Sequence, residues 1–534
     1  MRVLLLCNGG GPLGVGHVIR SLALAEAAVA AGHEVVVAGH FEGPFVPGQL
    51  AAAPVEVVQL AARVPDARSE PLLELIGRFR PEVLHLDSYE ARGWLMGSMV
   101  LSNVEDGAFG RRPADVVVDP TLGAELSVRP EDGSTWLLRG SRYAPMRQRV
   151  MDARRRAHDD GVGAAVEIPV EDVARTVLVV MGGTDPVGLA PAAVGLLAHT
   201  GLALEVTAVA VGENAERVRA AALGTALSLE VLSPVDDLAA MMAGQDLVIS
   251  AAGTSVWELC CIGVPMAVIW AVGNQRDGYD RLVAAGAAVG LGGPELAGAD
   301  PGGHERAEGL LRTALMDSRA RAGLVRAGRH VVDGLGAWRV VRTWEQVLRL
   351  GPAARSGSTR HEPSVRLTAR PAGMHDARHL WEWRNDAATR AGSRSPAEVS
   401  FDEHLRWLTA SLARTDRMLL LVEDPVGPVG TARWDLRFEG EWEISITVAP
   451  ERRGQSLARP LLRAAEVALS EWALSEWALS EVARPSATDV TAYLAVVHVD
   501  NRASVRLFET SAYVPDLPPD ARGFMRFRKV ARVT

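Results

Sequence analysis

The chain begins with a short apolar run, MRVLLL, and five of the next ten residues are glycine. The run predicts a buried strand. HVIRSLALAEAAVAA then has apolar residues at helical spacing, and GHEVVVAG predicts a second strand. In such a strand–turn–helix–strand unit the turn lies at the carboxyl end of the sheet, where ligands bind. This feature predicts an α/β fold with a ligand-binding edge formed early in the chain.

Strands and helices continue to alternate, in PEVLHLDSYE, ADVVVDP, RTVLVVMGGTDP, LALEVTAVAVG and QDLVISAAGTSVWELCCIGVPMAVIW. Such alternation predicts parallel sheets. GPAARSGSTRHEPS has the composition of a linker, and the strands after it are more antiparallel in character. We predict a Rossmann-like domain at 1–155, a second one at 156–350, a linker at 351–365 and an α+β domain at 366–534.

The composition narrows the class of protein. The 534 residues carry a formal net charge of −9, which argues against a nucleic-acid partner. The three cysteines, Cys7, Cys260 and Cys261, lack metal-ligand spacing and predict buried thiols in a reducing cytoplasm. MRVLLL is too short for a signal peptide, and no apolar run is long enough to span a bilayer. We expect a cytoplasmic enzyme that uses no metal.

Two loops in the first 350 residues carry polar groups suited to a ligand. His17 follows glycines at the start of a helix, where it could be a general base, or could cap the helix or pack. In SAAGTSVWE, Thr254 and Ser255 open a helix whose free amides suit a diphosphate, and Glu258 could accept both hydroxyls of a ribose. The alternative is an ordinary N-cap at Thr254 with Glu258 as its capping-box partner. MGGTDP similarly predicts either a ligand loop or a plain turn.

GVGHVIRSLALA, HLDSYE, VVVDP, RYAPMR, VVMGGTDP, VISAAGTSVWELCCIGVP and GNQ, in this order, resemble the UDP-sugar hydrolases of pseudaminic acid biosynthesis. That family is related to spore-coat polysaccharide proteins and to the lipid II-forming glycosyltransferase, and has the two-Rossmann GT-B fold. The resemblance covers about residues 1–350. It implies that water attacks the anomeric carbon of UDP-2,4-diacetamido-2,4,6-trideoxy-β-L-altropyranose and releases UDP.

The resemblance also implies roles for single residues. His17 would activate the water, Asn274 would hold the sugar or the water, and Tyr89 would line the sugar side. The opening loop departs from the family pattern, because Asn8 stands where the family has aspartate and glycine where it has serine. The remaining residues expected to contact the substrate or UDP are Gly14, Gly16, Gly183, Thr184, Asp185, Gly253, Thr254, Ser255, Glu258 and Gln275.

EWEISITVAPERRGQSLARPLLRAAEVAL and VVHVDNRASVRLFETSAYVPD resemble the GNAT acetyltransferases. The resemblance implies that acetyl-CoA is the cosubstrate and that turn amides at a helix N-terminus hold its pyrophosphate. Ser456 replaces the middle glycine of the usual pattern. The implied acetyl-CoA ligands are Val448, Arg453, Gly454, Gln455, Ser456, Leu457, Ala458, Asn501 and Phe508.

Two further residues are candidates for the chemistry of this domain. Glu443 could be the base that deprotonates an amine, or a solvated glutamate on a strand. Phe508 occupies the position of the family's tyrosine acid, so Tyr513 could take over that role, or could simply pack.

ALSEWALSEWALSE is a five-residue repeat that predicts a lengthened surface helix, with Trp472 and Trp477 on different faces.

These observations predict an α/β protein of two Rossmann-like, GT-B-like domains followed by an α+β GNAT domain. We expect a bifunctional enzyme that hydrolyses a UDP-diacetamido-trideoxyhexose and uses acetyl-CoA to N-acetylate its 4-amino UDP-sugar precursor. One alternative is a GT-B glycosyltransferase that acts on an acceptor and carries an accessory acetyltransferase. Another is a non-catalytic nucleotide-sugar module that serves the GNAT domain.

Overall fold

The computed structural model describes residues 1–10, 15–43, 45–63, 69–91, 99–159, 173–182, 185, 187–233, 235, 237–298, 301–352, 367–391, 395–438, 440–479 and 490–531. It has two compact units. The first joins Met1–Ala124 to Leu138–Trp344, and the second joins Glu125–Leu137 to Glu345–Thr534. In the described part of the chain, no helix combines the length and the apolar character needed to cross a membrane.

The first sheet has the strand order β3-β2-β1-β4-β5-β6-β7, and neighbouring strands from β3 to β6 are parallel. Its strands are β1 (Arg2–Cys7), β2 (Glu34–Gly39), β3 (Glu56–Gln59), β4 (Val83–Asp87), β5 (Val100–Val104), β6 (Val116–Asp119) and β7 (Trp136–Arg139). The helices in this part of the chain are α1 (Gly16–Ala30), α2 (Phe45–Ala51) and α3 (Glu70–Phe79).

The second sheet has the order β10-β9-β8-β11-β12-β13 and is entirely parallel. Its strands are β8 (Thr176–Val180), β9 (Glu205–Val209), β10 (Ser228–Leu232), β11 (Leu247–Ala251), β12 (Met266–Ile269) and β13 (Val289–Gly292). The helices are α4 (Gln148–Asp159), α5 (Leu189–His199), α6 (Gly212–Ala222), α7 (Leu238–Ala243), α8 (Ser255–Ile262), α9 (Arg276–Ala284), α10 (Pro301–Met316), α11 (Ser318–Val331) and α12 (Gly336–Leu350).

Both parallel sheets lie in the first compact unit, and their division into domains at 1–155 and 156–350 stays a prediction. Val150 and Ala153 of α4 pack into the core of the second sheet. Trp344 of α12 returns to β4, where its ring centroid lies 5.3 Å from that of His85. Thus α4 packs on the second sheet although it begins before residue 155. Helix α12 follows the last strand of the second sheet but packs against the first sheet.

A buried ion pair also joins the two sheets. The guanidinium of Arg147, directly before α4, donates to Oε1 of Glu26 on α1 at 2.6 and 2.8 Å. Nη1 of Arg147 donates to Oε1 of Gln49 on α2 at 3.1 Å. Such a pair is costly to break from one side, because the remaining charge is left buried and unpaired.

The second unit contains a mixed sheet of order β14-β15-β16-β17-β18-β20-β19. Its strands are β14 (Thr368–Pro371), β15 (Arg417–Asp424), β16 (Gly427–Phe438), β17 (Glu441–Val448), β18 (Ala492–His498), β19 (Val514–Leu517) and β20 (Phe524–Val530). Only the β17–β18 pair is parallel. The helices are α13 (Ala377–Asn385), α14 (Ala387–Ala391), α15 (Phe401–Leu412), α16 (Ala458–Leu479) and α17 (Arg502–Thr510).

Helix α16 covers one face of this sheet, and the tandem repeat forms its last turns. The ring of Trp472 packs edge-on against Trp442, with centroids 5.6 Å apart. The expectation of a surface helix is therefore wrong for this tryptophan, which joins the core. The side chain of Trp477 lies outside the described residues.

Candidate functional site

The strand order of the first sheet reverses direction between β1 and β4. Ligands of doubly wound sheets bind beside the carboxyl ends of the strands at such a reversal. The turn after β1 leads to His17 in the first turn of α1, and β4 ends at Asp87. The topology therefore brings together two residues that are 70 positions apart in the chain.

His17 and Asp87 form a buried pair at this edge. Nδ1 of His17 lies 2.6 Å from Oδ1 of Asp87, so its N–H donates to the carboxylate. The two side chains are 9% and 0% exposed. Nε2 of His17 has no hydrogen-bond partner among the described residues, which leaves it available as a proton acceptor toward the cleft. Asn8, His17, Asp87, Ser88, Tyr89 and Glu90 line that cleft.

Arg20, one turn after His17 on α1, also binds the carboxylate of Asp87. Its Nε donates to Oδ2 of Asp87 at 2.5 Å and its Nη2 to Oδ1 at 2.7 Å. Burial alone would raise the pKa of Asp87, but the charges of Arg20 and His17 and their hydrogen bonds hold it well below the ordinary value. Asp87 is therefore an anion at every pH at which the folded protein would work.

Arg20 and Tyr89 extend this hydrogen-bond network to Asp106. Nη1 of Arg20 donates to both oxygens of Asp106, at 2.9 and 3.0 Å. The hydroxyl of Tyr89 donates to Oδ2 of Asp106, and its ring meets the His17 ring edge-on at a centroid distance of 4.7 Å. Burial and the neighbouring Asp106 raise the pKa of Tyr89. Tyr89 therefore stays protonated and acts through its ring and its hydrogen bond.

The N-terminus of α8 approaches this cleft from the second sheet. A Cβ placed on Gly16 would lie 3.2 Å from Cγ2 of Thr254, and one on Gly253 would lie 3.5 Å from Nε2 of Gln275. Thr254 occupies the N-cap of α8, but its side chain makes no capping hydrogen bond. The side chain of Thr254 therefore does not form the capping box that was the alternative interpretation. The N–H groups of Val256 and Trp257 donate to the carbonyls of Gly253 and Thr254, whereas those of Thr254 and Ser255 have no hydrogen-bond partner among the described residues.

Glu258 lies in the first turn of α8 and has no hydrogen-bond partner among the described residues. Burial raises its pKa, and the charges of Arg149 and Arg147 oppose that shift. A largely buried carboxylate without a hydrogen-bond donor could accept the hydroxyls of a ligand. Its surroundings are compatible with the predicted contact to a ribose.

The other predicted residues of this site have different outcomes. Asp185 caps α5, because its Oδ1 and Oδ2 each accept a backbone N–H, from Leu189 and Ala190, at 2.9 Å. Its carboxylate therefore has a structural role that the sequence did not indicate.

Asn274 lies in a short 3-10 turn, Gly273–Gln275. Gly14, Gly183, Thr184 and the side chain of Asn274 lie outside the described residues.

In the second unit, β17 and β18 diverge. They pair only over Glu441–Ile444 and Ala492–Ala495, whereas β17 stays paired with β16 as far as Val448. The backbone from Ser445 to Val448 therefore has a free side, and these peptide groups could hold an extended ligand between the strands. This opening lies directly before the turn that carries the predicted acetyl-CoA ligands.

That turn has two residues in the left-handed region, Gly454 at φ 76° and Ser456 at φ 58°. Leu457 is buried and Ala458 begins α16. Arg453 reaches away from the turn, with one Nη2 bonded to Oδ2 of Asp386 and to Oγ1 of Thr389, both at 2.7 Å. Gln455 accepts a hydrogen bond from Arg452 at 3.3 Å. The amides at the start of α16 are thus the groups presented to an anion.

The candidate acid and base of this unit lie in different surroundings. Tyr513 is fully buried, and its hydroxyl donates to Oε1 of Glu466 at 2.8 Å, as expected of a packing residue. Glu443 is partly exposed and accepts two hydrogen bonds from Arg437, at 3.0 and 3.1 Å. Asn501 caps α17 through Ser504 N, and Phe508 is buried against Tyr513.

Three residues of the first cleft were not predicted: Arg20, Asp87 and Asp106. Arg20 could have been found from its spacing of three residues from His17, which places both on one helix face. Asp87 ends a predicted strand in HLDSYE, which was a signal for the same edge. Asp106 follows β5, a strand that the sequence analysis did not identify.

Comparison with known proteins shows the family to which most of the second unit belongs. No curated protein matches the sequence. Residues 366–513 match the family described as Acetyltransferase (GNAT) domain. This part of the chain is a GNAT acetyltransferase domain. Domains of this family use acetyl-CoA, and the separated strands β17 and β18 with the following turn offer a site of suitable shape and hydrogen-bonding groups.

Two solved structures show the extent of the structural similarity. Spermidine N-acetyltransferase from Vibrio cholerae, solved in complex with CoA and spermine, is 20% identical, with 31% of this chain and 95% of that chain covered and a TM-score of 0.26. MurG from Acinetobacter baumannii is 16% identical, with 65% of this chain and 99% of that chain covered and a TM-score of 0.44. The predicted fold class, two parallel Rossmann-like sheets followed by a GNAT domain, is confirmed.

Proposed function

We propose that the chain is a bifunctional nucleotide-sugar enzyme of the cytoplasm. Its first unit would hydrolyse a UDP-diacetamido-trideoxyhexose, and its GNAT domain would N-acetylate the 4-amino UDP-sugar precursor. The observation that supports the first activity is a buried His17–Asp87 dyad beside the N-terminus of α8, where the N–H groups of Thr254 and Ser255 have no hydrogen-bond partner among the described residues. A base and an anion site then face one cleft, as displacement of a diphosphate requires.

In this proposal Nε2 of His17 accepts a proton from water as the water oxygen bonds to the anomeric carbon. The bond from that carbon to the diphosphate oxygen breaks, and UDP leaves with the electron pair. Asp87 keeps Nδ1 protonated and stabilises the imidazolium that forms. The amides of α8 beside Thr254 and Ser255 stabilise the departing diphosphate, and Glu258 binds the ribose.

The test is UDP release from UDP-2,4-diacetamido-2,4,6-trideoxy-β-L-altropyranose without an acceptor. Wild type should release UDP, and His17→Ala should lose about 10²-fold or more of that rate, the usual range for loss of a general base. His199→Ala, at the exposed end of α5, is the matched control and should keep the wild-type rate. Release that is equal in wild type and His17→Ala would contradict the proposed base.

Transfer of the sugar to an acceptor hydroxyl is the second candidate. It is favoured by Asn8, which lines the cleft in place of the expected aspartate and whose Oδ1 accepts a hydrogen bond from His40 N at 3.1 Å. UDP release that requires an added acceptor would favour this transferase over the hydrolase. Binding of the UDP-sugar with no release under either condition would instead favour a non-catalytic module.

In the GNAT domain, acetyl-CoA would lie between β17 and β18 with its pyrophosphate at the start of α16. It supplies an acetyl group as a thioester. The amine nitrogen bonds to the acetyl carbon, the carbon–sulfur bond breaks, and CoA leaves as a thiolate that takes a proton from solvent to give the free thiol. Glu443 would take the amine proton directly or through water. Thiol release that depends on both acetyl-CoA and the amino sugar is the measurement for this activity.

A further inference from the structure

The sheet of the second unit has a charged face opposite α16. Trp434, Trp442 and Ile444 point into the core beneath α16. The alternating residues of the same strands point the other way. In register across β15, β16 and β17, Arg417 lies beside Asp435 and Asp435 beside Glu443. The charged residues of this face include Arg417, Arg433, Asp435, Arg437, Glu441 and Glu443.

A buried carboxylate orients the arginines of this face. Asp435 accepts from Nε of Arg417 at 2.6 Å and from Nε of Arg433 at 2.9 Å. Arg417 is turned inward, since its Nη1 also donates to Oγ of Ser411 at 2.8 Å. Arg433 has a side chain 32% exposed and is held only through Nε. Its two Nη groups have no hydrogen-bond partner among the described residues, so they are available to a ligand.

Arg433 lies beside the opening between β17 and β18. Its Cα partner on β17 is Ser445, an exposed residue and the first one beyond the part of β17 that pairs with β18. The held guanidinium is therefore next to the place where an acyl donor would meet its acceptor. Glu443, the candidate base, is the adjacent residue on the same side of β17, two positions before Ser445.

The available guanidinium of Arg433 favours one class of acceptor. Other charged side chains of this face are paired with one another, Arg437 with Glu443, Arg370 with Glu423 and Arg528 with Glu441. The guanidinium of Arg433 would repel the ammonium groups of a polyamine placed beside it. An acceptor with a phosphate, diphosphate or carboxylate group would be attracted, because a guanidinium with two free N–H groups binds such anions through parallel hydrogen bonds.

We propose that Arg433 binds an anionic group of the acetyl acceptor, and that the acceptor is an amine linked to a diphosphate and not a polyamine. This inference rests on the proposed acetyltransferase function of the second unit. It goes further by assigning acceptor recognition to a residue outside the acetyl-CoA turn. Asp435 is a positioning residue for Arg433, and Arg437 is held by Glu443.

The experiment measures thiol release by the full chain with three acceptors: a UDP-4-amino sugar, the same amino sugar without the nucleotide, and spermidine. Wild type should prefer the UDP-amino sugar. Arg433→Gln should raise the KM for that acceptor about 10- to 100-fold, as expected when a charged hydrogen-bond partner is lost. Its KM for acetyl-CoA and its activity on the neutral amino sugar should stay within twofold of wild type.

Two further variants separate recognition from folding. Arg433→Lys keeps the charge but loses the paired N–H groups, and should fall between wild type and Arg433→Gln. Arg463→Gln removes an exposed arginine of α16 and should match wild type. Preference for spermidine, or an unchanged KM in Arg433→Gln, would overturn the inference while leaving the acetyltransferase intact. No transfer to the UDP-amino sugar despite acetyl-CoA binding would also overturn it, whereas failure to bind acetyl-CoA would overturn the proposed function itself.

Discussion

Asp87 is the residue on which the proposed chemistry of the first cleft depends most directly after His17. Asp87→Asn keeps the shape of the side chain but removes the charge that holds Nδ1–H of His17 and pairs with Arg20. We expect the kcat for UDP release to fall about 10²- to 10⁴-fold, as for a base left in the wrong tautomer, while KM changes little. Steady-state kinetics measures both. A change in KM alone would show that Asp87 shapes the pocket and does not position the base.

His85, two residues before Asp87 on β4, gives the first unit a specific response to acid. Burial lowers the pKa of His85 to about 4. Between pH 6.5 and pH 4 the unfolded chain therefore binds a proton that the folded chain does not, and stability falls as the pH falls through this window. The shift of about 2.5 pKa units corresponds to about 3 kcal/mol. Thermal unfolding midpoints of His85→Gln should therefore depend less on pH than those of wild type.

Asp119 provides a control, because its titration changes stability with pH in the direction opposite to that of His85. Burial raises the pKa of Asp119 to about 6, so the folded chain holds the extra proton and stability falls as the pH rises through 4 to 6. Asp119→Asn should therefore make the midpoint rise more steeply with pH. If both variants changed the slope in the same direction, one of the two assignments would be wrong.

At the scale of single residues, the sequence pointed to the candidate base but not to the residues that bind it. His17 stands out because it follows glycines at a helix start. Its contacts to Asp87, and those of Arg20 to Asp106, join residues 70 and 86 positions apart. Such contacts depend on which strands become neighbours, and that information is absent from local spacing.

Among the elements, α16 shows how a repeat can be assigned to the wrong environment. Trp472 packs against the buried Trp442, so Trp472→Ala should lower the free energy of unfolding by about 3 kcal/mol. Val467 is a half-exposed residue of the same helix, so Val467→Ala should change stability by less than about 0.5 kcal/mol. Denaturant unfolding compares the two, and equal losses would contradict the assignment.

Strands with continuous apolar runs were predictable, whereas β5, one of several strands that were not predicted, has polar residues. β5 contains Ser102 and Asn103, both fully buried. Ser102 bonds to Nδ1 of His85 at 2.9 Å, and Asn103 donates to Gly110 O at 3.0 Å. Tertiary hydrogen bonds thus stabilise a buried strand whose composition does not indicate burial. In the turn predicted to bind acetyl-CoA the pattern was informative, because Ser456 has the left-handed backbone expected of the glycine in the GNAT pattern.

For the molecule as a whole, the proposal predicts two activities, each of which a single substitution can abolish without loss of the other. Each compact unit contains all the described residues that we assign to its reaction. His17→Ala should abolish UDP release and keep acetyl transfer within about twofold of wild type. Glu443→Gln should lower acetyl transfer about 10²-fold or more and leave UDP release unchanged. Both assays on both variants test this, and a variant that loses both activities would show that the reactions depend on each other.

The large-scale organisation was only partly visible in the sequence. The change of style near residue 351 indicated a new α+β domain, and the family match from residue 366 agrees with it. The crossing of α4 and α12 between the two parallel sheets was not visible. Both helices have ordinary amphipathic patterns, and such a pattern shows that a helix has a partner without showing which sheet the partner belongs to.

Helix α1 carries His17 in its first turn and Glu26 nine residues later, about 13.5 Å along its axis. Since Glu26 holds Arg147 at the entrance to α4, this one helix carries both the candidate base of the first cleft and the ion pair that joins the two sheets. A substitution that moves α1 would therefore disturb the candidate base and the attachment of the second sheet together.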